Sequence, residues 1–339
     1  MIEFEKFEGE IRTDYRTGSR VIFSPIRDKK PMDFSTAVGK WESDISRCPF
    51  EYANDSLNRT IKYIGGDRYS WKLRAIENKF PFTFPDLGLF SSGAFLKKST
   101  PFGYSEVLVE TPVHDLPFEE IGEEERILWL ENIVEREEAL YSRDGIKYVY
   151  VFKNEGPGSG ASLFHAHSQI MAFPDVTPAI ATEAERIKEN LKKTGKCLYE
   201  EALPEEKDRL LIENGTCVAF APFASKFTAE TVVMPKRHVN YAAGLSEGEV
   251  RDMVRLLSSV ISVNKKLFGR LPYNLVFHEL KSEKDFHFHI EIYYRVITFA
   301  AVEFAGFYTN QLIPETYADI FSKEMDVAGK QGSGKDAGR

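Results

Sequence analysis

NEGPGSGASLFHAHSQIMAFP, residues 154–174, places two of the chain's seven histidines one residue apart, behind three glycines and just ahead of a glutamine. Its second half, FHAHSQIMAF, alternates as a β-strand does, and alternate side chains of a strand share a face. His165, His167 and Gln169 are therefore expected to project together. A second stretch, FHFHIEIYY at 286–294, gives His287, His289 and Glu291 the same arrangement.

Working outward, the two pairs belong to an internal repeat. SEVLVETPVHDLPFEEIGEEERILWLENIVEREEAL predicts a strand running towards His114, a turn and a long helix. AETVVMPKRHVNYAAGLSEGEVRDMVRLLSSVISVNKKL predicts the same order around His238. Each copy then returns on a strand, KYVYVFKNEG or PYNLVFHELK, before its histidine pair. His114 and His165 lie 51 positions apart, and His238 and His287 lie 49 apart. Similarity in element order and in spacing argues for a duplicated unit. The expected fold class is α+β, with two duplicated units, each an antiparallel sheet with helices packed on it. The expected division is an N-terminal half over 1–180, a C-terminal half over 181–325, and a flexible glycine- and lysine-rich tail over 326–339; the helical charge pattern near 178–208 links the halves.

Gly156, Gly158 and Gly160, with Pro157, Ser159 and Ser162, form a loop whose backbone amides can approach an anion because no Cβ intervenes. The spacing is neither that of a Walker loop nor that of a dinucleotide-binding turn, since no Gly-Lys-Ser/Thr follows and the next element is a strand. Such a loop followed by two histidines and a glutamine on one face points to chemistry at phosphorus.

Acidic residues outnumber basic ones, 52 to 44, for a formal charge of -8. This argues against sequence-independent nucleic-acid binding. No window approaches the roughly 18 to 20 apolar residues of a membrane span, so no membrane role is expected. Three scattered cysteines, Cys48, Cys197 and Cys217, fit a reducing, cytoplasmic setting better than a disulfide framework. The charges of EEERILWLENIVEREEAL and ERIKENLKKTGK are expected on solvated helix faces, and FPFTFPD among core and strand-edge aromatics.

Asn154, Gly156, Gly160, Ser162, His165, His167 and Gln169 resemble the active-site signature of the galactose-1-phosphate uridylyltransferase branch of the histidine-triad superfamily, which includes ADP-glucose and diadenosine-tetraphosphate phosphorylases. IRTDYRTGSRVIFSPIRDKKP, RAIENKFPF, MPKRH, HFHIEI and FYTNQLIPETYADIF extend the resemblance over nearly the whole chain. It implies two histidine-triad-like halves in one chain, paired as a homodimer. It also implies a double displacement in which His167 attacks the α-phosphorus of a nucleotide sugar, releases a sugar 1-phosphate and passes the nucleotide to a second phosphate acceptor. Imidazole suits this, being largely neutral at cytoplasmic pH and nucleophilic. Gln169 and Ser162 are placed to donate to non-bridging oxygens. Asn154, Gly160, Phe152, Asn78 and Phe80 match positions around the nucleotide, and Arg27 lies in the loop associated with phosphate.

The same resemblance implies metals. The family's structural zinc uses Cys-Pro-x-Cys and two histidines; here Cys48, His114 and His165 are kept, with Glu51 in place of the second cysteine. A Cys, Glu, His, His set is acceptable to zinc. A second metal, zinc or iron, is implied in the C-terminal half through His278, His287, His289 and a glutamate, either Glu183 or Glu185. The working substrates are a UDP-hexose and a hexose 1-phosphate; the alternative is a phosphorylase using ADP-glucose or a dinucleoside polyphosphate. A hydrolase is disfavoured because glutamine, unlike a third histidine, transfers no proton. A non-catalytic nucleotide-binding protein is disfavoured because His167 is present.

Overall fold

A computed structural model of the chain describes residues 9–23, 44–296 and 299–333. Its strands are β1 (Glu10–Thr13), β2 (Arg20–Phe23), β3 (Thr60–Ile64), β4 (Leu73–Glu77), β5 (Ser91–Ser92), β6 (Lys98–Ser99), β7 (Tyr104–Val109) and β8 (Tyr148–Glu155). They continue as β9 (His167–Phe173), β10 (Leu210–Glu213), β11 (Cys217–Phe220), β12 (Thr231–Pro235), β13 (Tyr273–His278), β14 (His289–Tyr294) and β15 (Phe307–Asn310). The helices are α1 (Glu123–Tyr141), α2 (Pro178–Thr194), α3 (Leu198–Ala202), α4 (Glu247–Phe268), α5 (Ala301–Phe304) and α6 (Pro314–Ser333). Among the described residues no helix is long and apolar enough to cross a membrane.

The fold is α+β with two copies of the repeated unit. Rather than forming two separate sheets, the copies fuse into one ten-stranded sheet of order β10-β11-β12-β14-β13-β8-β9-β7-β4-β3, in which all pairs are antiparallel. The seam is the β8–β13 pair, with five strands on either side. β8 and β13 are the returning strands of the two copies, so joining them removes one edge from each half-sheet.

The two long helices lie together on one face. Helix α1 opens on Glu123, Glu124 and Glu125, which complement the helix dipole. Helix α4 opens on a capping box: the Ser246 hydroxyl accepts from the Glu249 amide and the Glu249 carboxylate accepts from the Ser246 amide. Arg251 and Arg255 of α4 pair with Glu123 of α1. Beneath them Trp129, Leu130, Ile133, Val254, Leu257 and Ile261 fill the main core against both halves of the sheet. The opposite face carries the sites. In the N-terminal half it is packed by Cys48, Phe50, Trp71 and Val109, and in the C-terminal half by Ile180, Ile187 and Tyr199.

Four features differ from the sequence expectation. First, β1 pairs with β2, and β2 pairs in parallel with β15, from far along the chain, in a separate sheet. The guanidinium of Arg16, just after β1, is buried against Asp14, Glu230 and Glu291, so this N-terminal segment packs with the C-terminal half rather than with 1–180. Second, α6 runs to Ser333, into the segment read as a flexible tail from 326. Third, Glu137 of α1 is buried rather than solvated, because α1 is covered by the sheet and α4. Fourth, Phe80 and Phe82 are 81% and 76% exposed, since the prolines at 81 and 85 take this segment out of the ladder after β4.

Candidate functional site

His167 begins β9 and faces away from α1. The β7–β9 register sets it opposite Val109, and Gln169, on the same face, lies opposite Phe152 of β8. Phe50 packs edge-on against the His167 ring at 5.3 Å. His167 Nδ1 donates to the carbonyl of His165 at 2.8 Å. A carbonyl only accepts, so Nδ1 carries the proton and Nε2 keeps a free lone pair. Nε2 has no hydrogen-bond partner among the described residues. Burial pulls His167 down to about 4, with the Lys153 ammonium adding to the effect, so the ring is neutral at pH 7.

That ammonium lies on the other face of the sheet. Lys153, fully buried, bonds Glu110 at 3.0 Å and Glu155 at 2.9 Å. Glu110 also accepts from the Ser168 hydroxyl, which in turn accepts from Trp129 Nε1. Burial lowers the lysine's proton affinity, but Glu110 and Glu155 outweigh it and hold Lys153 up at about 12. The sequence reading missed this group; its signal was alternation in β8 and β9, which places Lys153 and Ser168 opposite the site residues.

On the site face of β8, Tyr148, Tyr150, Phe152 and Asn154 form a row, with Tyr150 and Phe152 stacked at 5.2 Å. Beyond Asn154 the chain turns through Gly156, Gly158 and Gly160, all at positive φ, which only glycine adopts without strain. Ser159 closes the turn by donating its hydroxyl and its amide to the Gly156 carbonyl. Ser162, after the third glycine, is exposed. Asn78 follows β4, two strands from β9, and accepts from the Phe80 amide. Arg27 lies outside the described residues.

His165 precedes β9 and so escapes the strict alternation. Its Nε2 donates to the Thr111 carbonyl at 2.7 Å, which leaves the Nδ1 lone pair facing Cys48 Sγ at 3.6 Å and Glu51 Oε1 at 3.3 Å. Glu51 Oε1 is also 2.8 Å from His114 Nδ1. Cys48, Glu51, His114 and His165 thus offer one ligand atom each, all within 4.8 Å of one another.

The C-terminal copy repeats the pattern with different outcomes. His289 Nδ1 donates to the His287 carbonyl at 2.9 Å, as His167 does to His165. The four residues expected around a second metal fall into two groups. Glu183, His278 and His289 form one cluster, while Glu185 is exposed. His287, which precedes β14, donates Nε2 to the Pro235 carbonyl and turns Nδ1 to Cys197 Sγ at 3.5 Å, forming a cluster with His238. Cys197 opens a second Cys-x-x-Glu run, CLYE, matching CPFE at Cys48; that spacing was the unused signal.

The first cluster is dense in charge. His278 meets Glu183 at 2.8 Å and Glu291 at 3.3 Å; burial opposes its charge, but these carboxylates raise it to about 10. His289 Nε2 is 3.3 Å from the Tyr199 hydroxyl, which donates to Glu183.

A family model described as a domain of unknown function, DUF4921, matches residues 119–336. The chain is 30% identical to the ADP-glucose phosphorylase of Arabidopsis thaliana over 92% of each chain. It is 31% identical to the galactose-1-phosphate uridylyltransferase of Thermotoga maritima over 83% of this chain and 86% of that one. The crystal structure of an Arabidopsis thaliana ADP-glucose phosphorylase with bound ADP-glucose superposes with a TM-score of 0.81 at 28% identity, covering 93% of this chain and 98% of that one.

Proposed function

The chain belongs to the DUF4921 family and to the wider family of ADP-glucose phosphorylases and galactose-1-phosphate uridylyltransferases, enzymes of nucleotidyl transfer, and on that premise we propose that His167 is its nucleophile. Nε2 of His167 attacks the α-phosphorus of a nucleotide sugar; the N–P bond forms, the P–O bond to the leaving group breaks, and a sugar 1-phosphate departs. A phosphate oxygen of the acceptor then attacks the same phosphorus, breaks the N–P bond and returns the lone pair to Nε2. The carrying observation is the His167 Nδ1 proton committed to the His165 carbonyl, which leaves the Nε2 lone pair of a neutral ring free. Gln169 and Ser162, with the loop amides, supply donors as charge builds on the phosphoryl oxygens. Asn154, Phe152, Gly160, Asn78 and Phe80 frame the nucleotide.

The repeat offers two candidate nucleophiles, and electrostatics favours His167. At the position of Gln169 the second copy has Glu291, whose carboxylate would repel a phosphate, and His289 Nε2 already faces Tyr199 and Glu183.

For the donor and acceptor we favour ADP-glucose and inorganic phosphate, because similarity to the ADP-glucose phosphorylase extends over more of both chains. A UDP-hexose with a hexose 1-phosphate is the second reading, resting on the 31% identity to the Thermotoga enzyme. Cys48, Glu51, His114 and His165 suit a structural zinc, being mixed sulfur, oxygen and nitrogen donors within tetrahedral reach. A metal there would fix the ring of His165, whose carbonyl orients His167. A second zinc or iron belongs with either Cys197, His238 and His287 or Glu183, His278 and His289. We expect a homodimer in solution.

The test is intact-protein mass after mixing with ADP-glucose and, separately, UDP-glucose, each without acceptor. An adduct of one nucleoside monophosphate, absent from His167→Ala, is expected, and its mass names the base. No adduct from a folded protein with either donor, or an adduct lost in His289→Ala and kept in His167→Ala, overturns the assignment. Metal analysis of the same samples is expected to find zinc that His114→Ala loses.

A further inference from the structure

We propose that Asn274, from the C-terminal copy of the repeat, is a positioning residue that sets Asn154 and the glycine loop for nucleotide binding in the N-terminal copy. The proposal rests on the nucleotidyl-transfer reading and adds a residue to it. Across the sheet seam Asn274 of β13 lies directly opposite Asn154 of β8. Directly opposed residues of an antiparallel pair share a face, so both side chains stand on the side that carries His167. Asn274 Nδ2 donates to Asn154 Oδ1 at 2.7 Å and to the Ser159 carbonyl at 2.8 Å.

Each bond has a separate consequence. A carboxamide carries one acceptor oxygen and one donor nitrogen. With its oxygen taken by Asn274, Asn154 is left to present Nδ2 towards the loop, where a Cβ added at Gly160 would lie 3.7 Å from that nitrogen. Asn154 is thereby held as a donor, suited to phosphate or ribose oxygens. The bond to Ser159 pins the middle of the loop, between Gly158 and Gly160, two residues with left-handed φ that a free loop would not keep in one arrangement. The ladder between β8 and β13 is made by backbone groups and does not require this side chain. Loop and nucleophile come from one copy of the repeat, and the clamp comes from the other.

A double-mutant cycle tests this. Asn274→Asp keeps the shape but sets an oxygen against two oxygens, so Asn154 must turn its N–H away from the loop; Asn274→Leu keeps the bulk without any donor. Each is combined with Asn154→Ala. Binding of AMP and of UMP is followed by calorimetry, adduct formation by single-turnover mass spectrometry, and folding by thermal melts. Asn274→Asp is expected to weaken binding of the preferred mononucleotide and to slow adduct formation by about 10- to 100-fold, and Asn274→Leu by about 10-fold. In the Asn154→Ala background either change is expected to cost at least about 3-fold less than in wild type, because the part carried through Asn154 is gone and only the bond to the Ser159 carbonyl is still lost. Costs that simply add overturn the proposal, as do Asn274 variants that fold and bind like wild type. If wild type binds a mononucleotide yet forms no adduct, the proposed reaction falls while the binding arm still judges Asn274. A wild type that binds neither mononucleotide overturns both.

Discussion

Gln169 and Glu291 stand at the same place in the two copies of the repeat, and the change from amide to carboxylate separates two kinds of site. Glu291 is held ionised, well below the usual carboxylate range; burial opposes its charge, but Arg16, His278 and Lys226 outweigh it. Gln169 brings no charge. On the proposed reaction a phosphoryl group at His167 would meet the Gln169 amide, whereas one at His289 would meet a carboxylate already neutralised by protein cations. Gln169→Glu is expected to leave the melting temperature within a few degrees of wild type and to slow adduct formation by about 100-fold or more, by placing a negative charge where negative charge develops. A rapid-quench measurement at saturating donor checks this; a loss of less than about 3-fold would remove Gln169 from the site. Its place on the His167 face was legible from alternation alone, whereas the proton position on His167 was not, since that depends on which carbonyl faces the ring.

At the scale of elements, α1 shows where a helical charge pattern misleads. Glu137 lies on the buried side of this helix, 1% exposed, and neither of its oxygens finds a donor. It faces Glu279, which follows β13, and burial followed by the Glu279 charge raises Glu137 well above the ordinary carboxylate value. Its folded value therefore exceeds its unfolded one. Above about pH 4.3, the ordinary Glu value, the folded state holds a proton that the unfolded state has lost, so stability falls as pH rises. Glu137→Gln removes that dependence. The variant is expected to be more stable than wild type by about 1–3 kcal/mol at pH 8 and to lose the advantage as pH approaches 4. Denaturant melts at a series of pH values check the sign; a difference independent of pH would show that Glu137 carries no extra proton. The sequence places Glu137 in a run of charged residues, and only the covering of α1 by α4 and the sheet turns it inward.

At the scale of the molecule, Arg16 ties the N-terminal segment to the C-terminal half of the chain. This residue is 1% exposed, among Asp14, Glu230 and Glu291, and joins the segment after β1 to strands of the C-terminal half. Removing one member of a buried ionic network leaves the others uncompensated. Arg16→Met is expected to cost about 3–5 kcal/mol. Limited proteolysis should then cut the N-terminal strand pair before the ten-stranded sheet, because the lost contact lies between them. Equal protection of both would show that the strand pair is held by β15 pairing alone. By chain position this segment falls to the N-terminal half, and no local pattern shows that its buried arginine meets Glu230 and Glu291, 214 and 275 positions away in the chain.

The sequence by itself determined the duplication, the order of elements within each copy, the two histidine pairs and the glycine loop ahead of only one of them. These are local or periodic properties: strand alternation, helix periodicity and glycine's freedom act over a few residues and repeat where the sequence repeats. The tertiary structure decided the rest. It fused two half-sheets at β8 and β13, sent the N-terminal strands to the C-terminal half, parted His287 from His289, and brought Asn274 onto Asn154. Those outcomes depend on which unpaired edges, buried charges and unsatisfied polar groups meet at long range, and the free energy of pairing them is set only when the whole chain has closed.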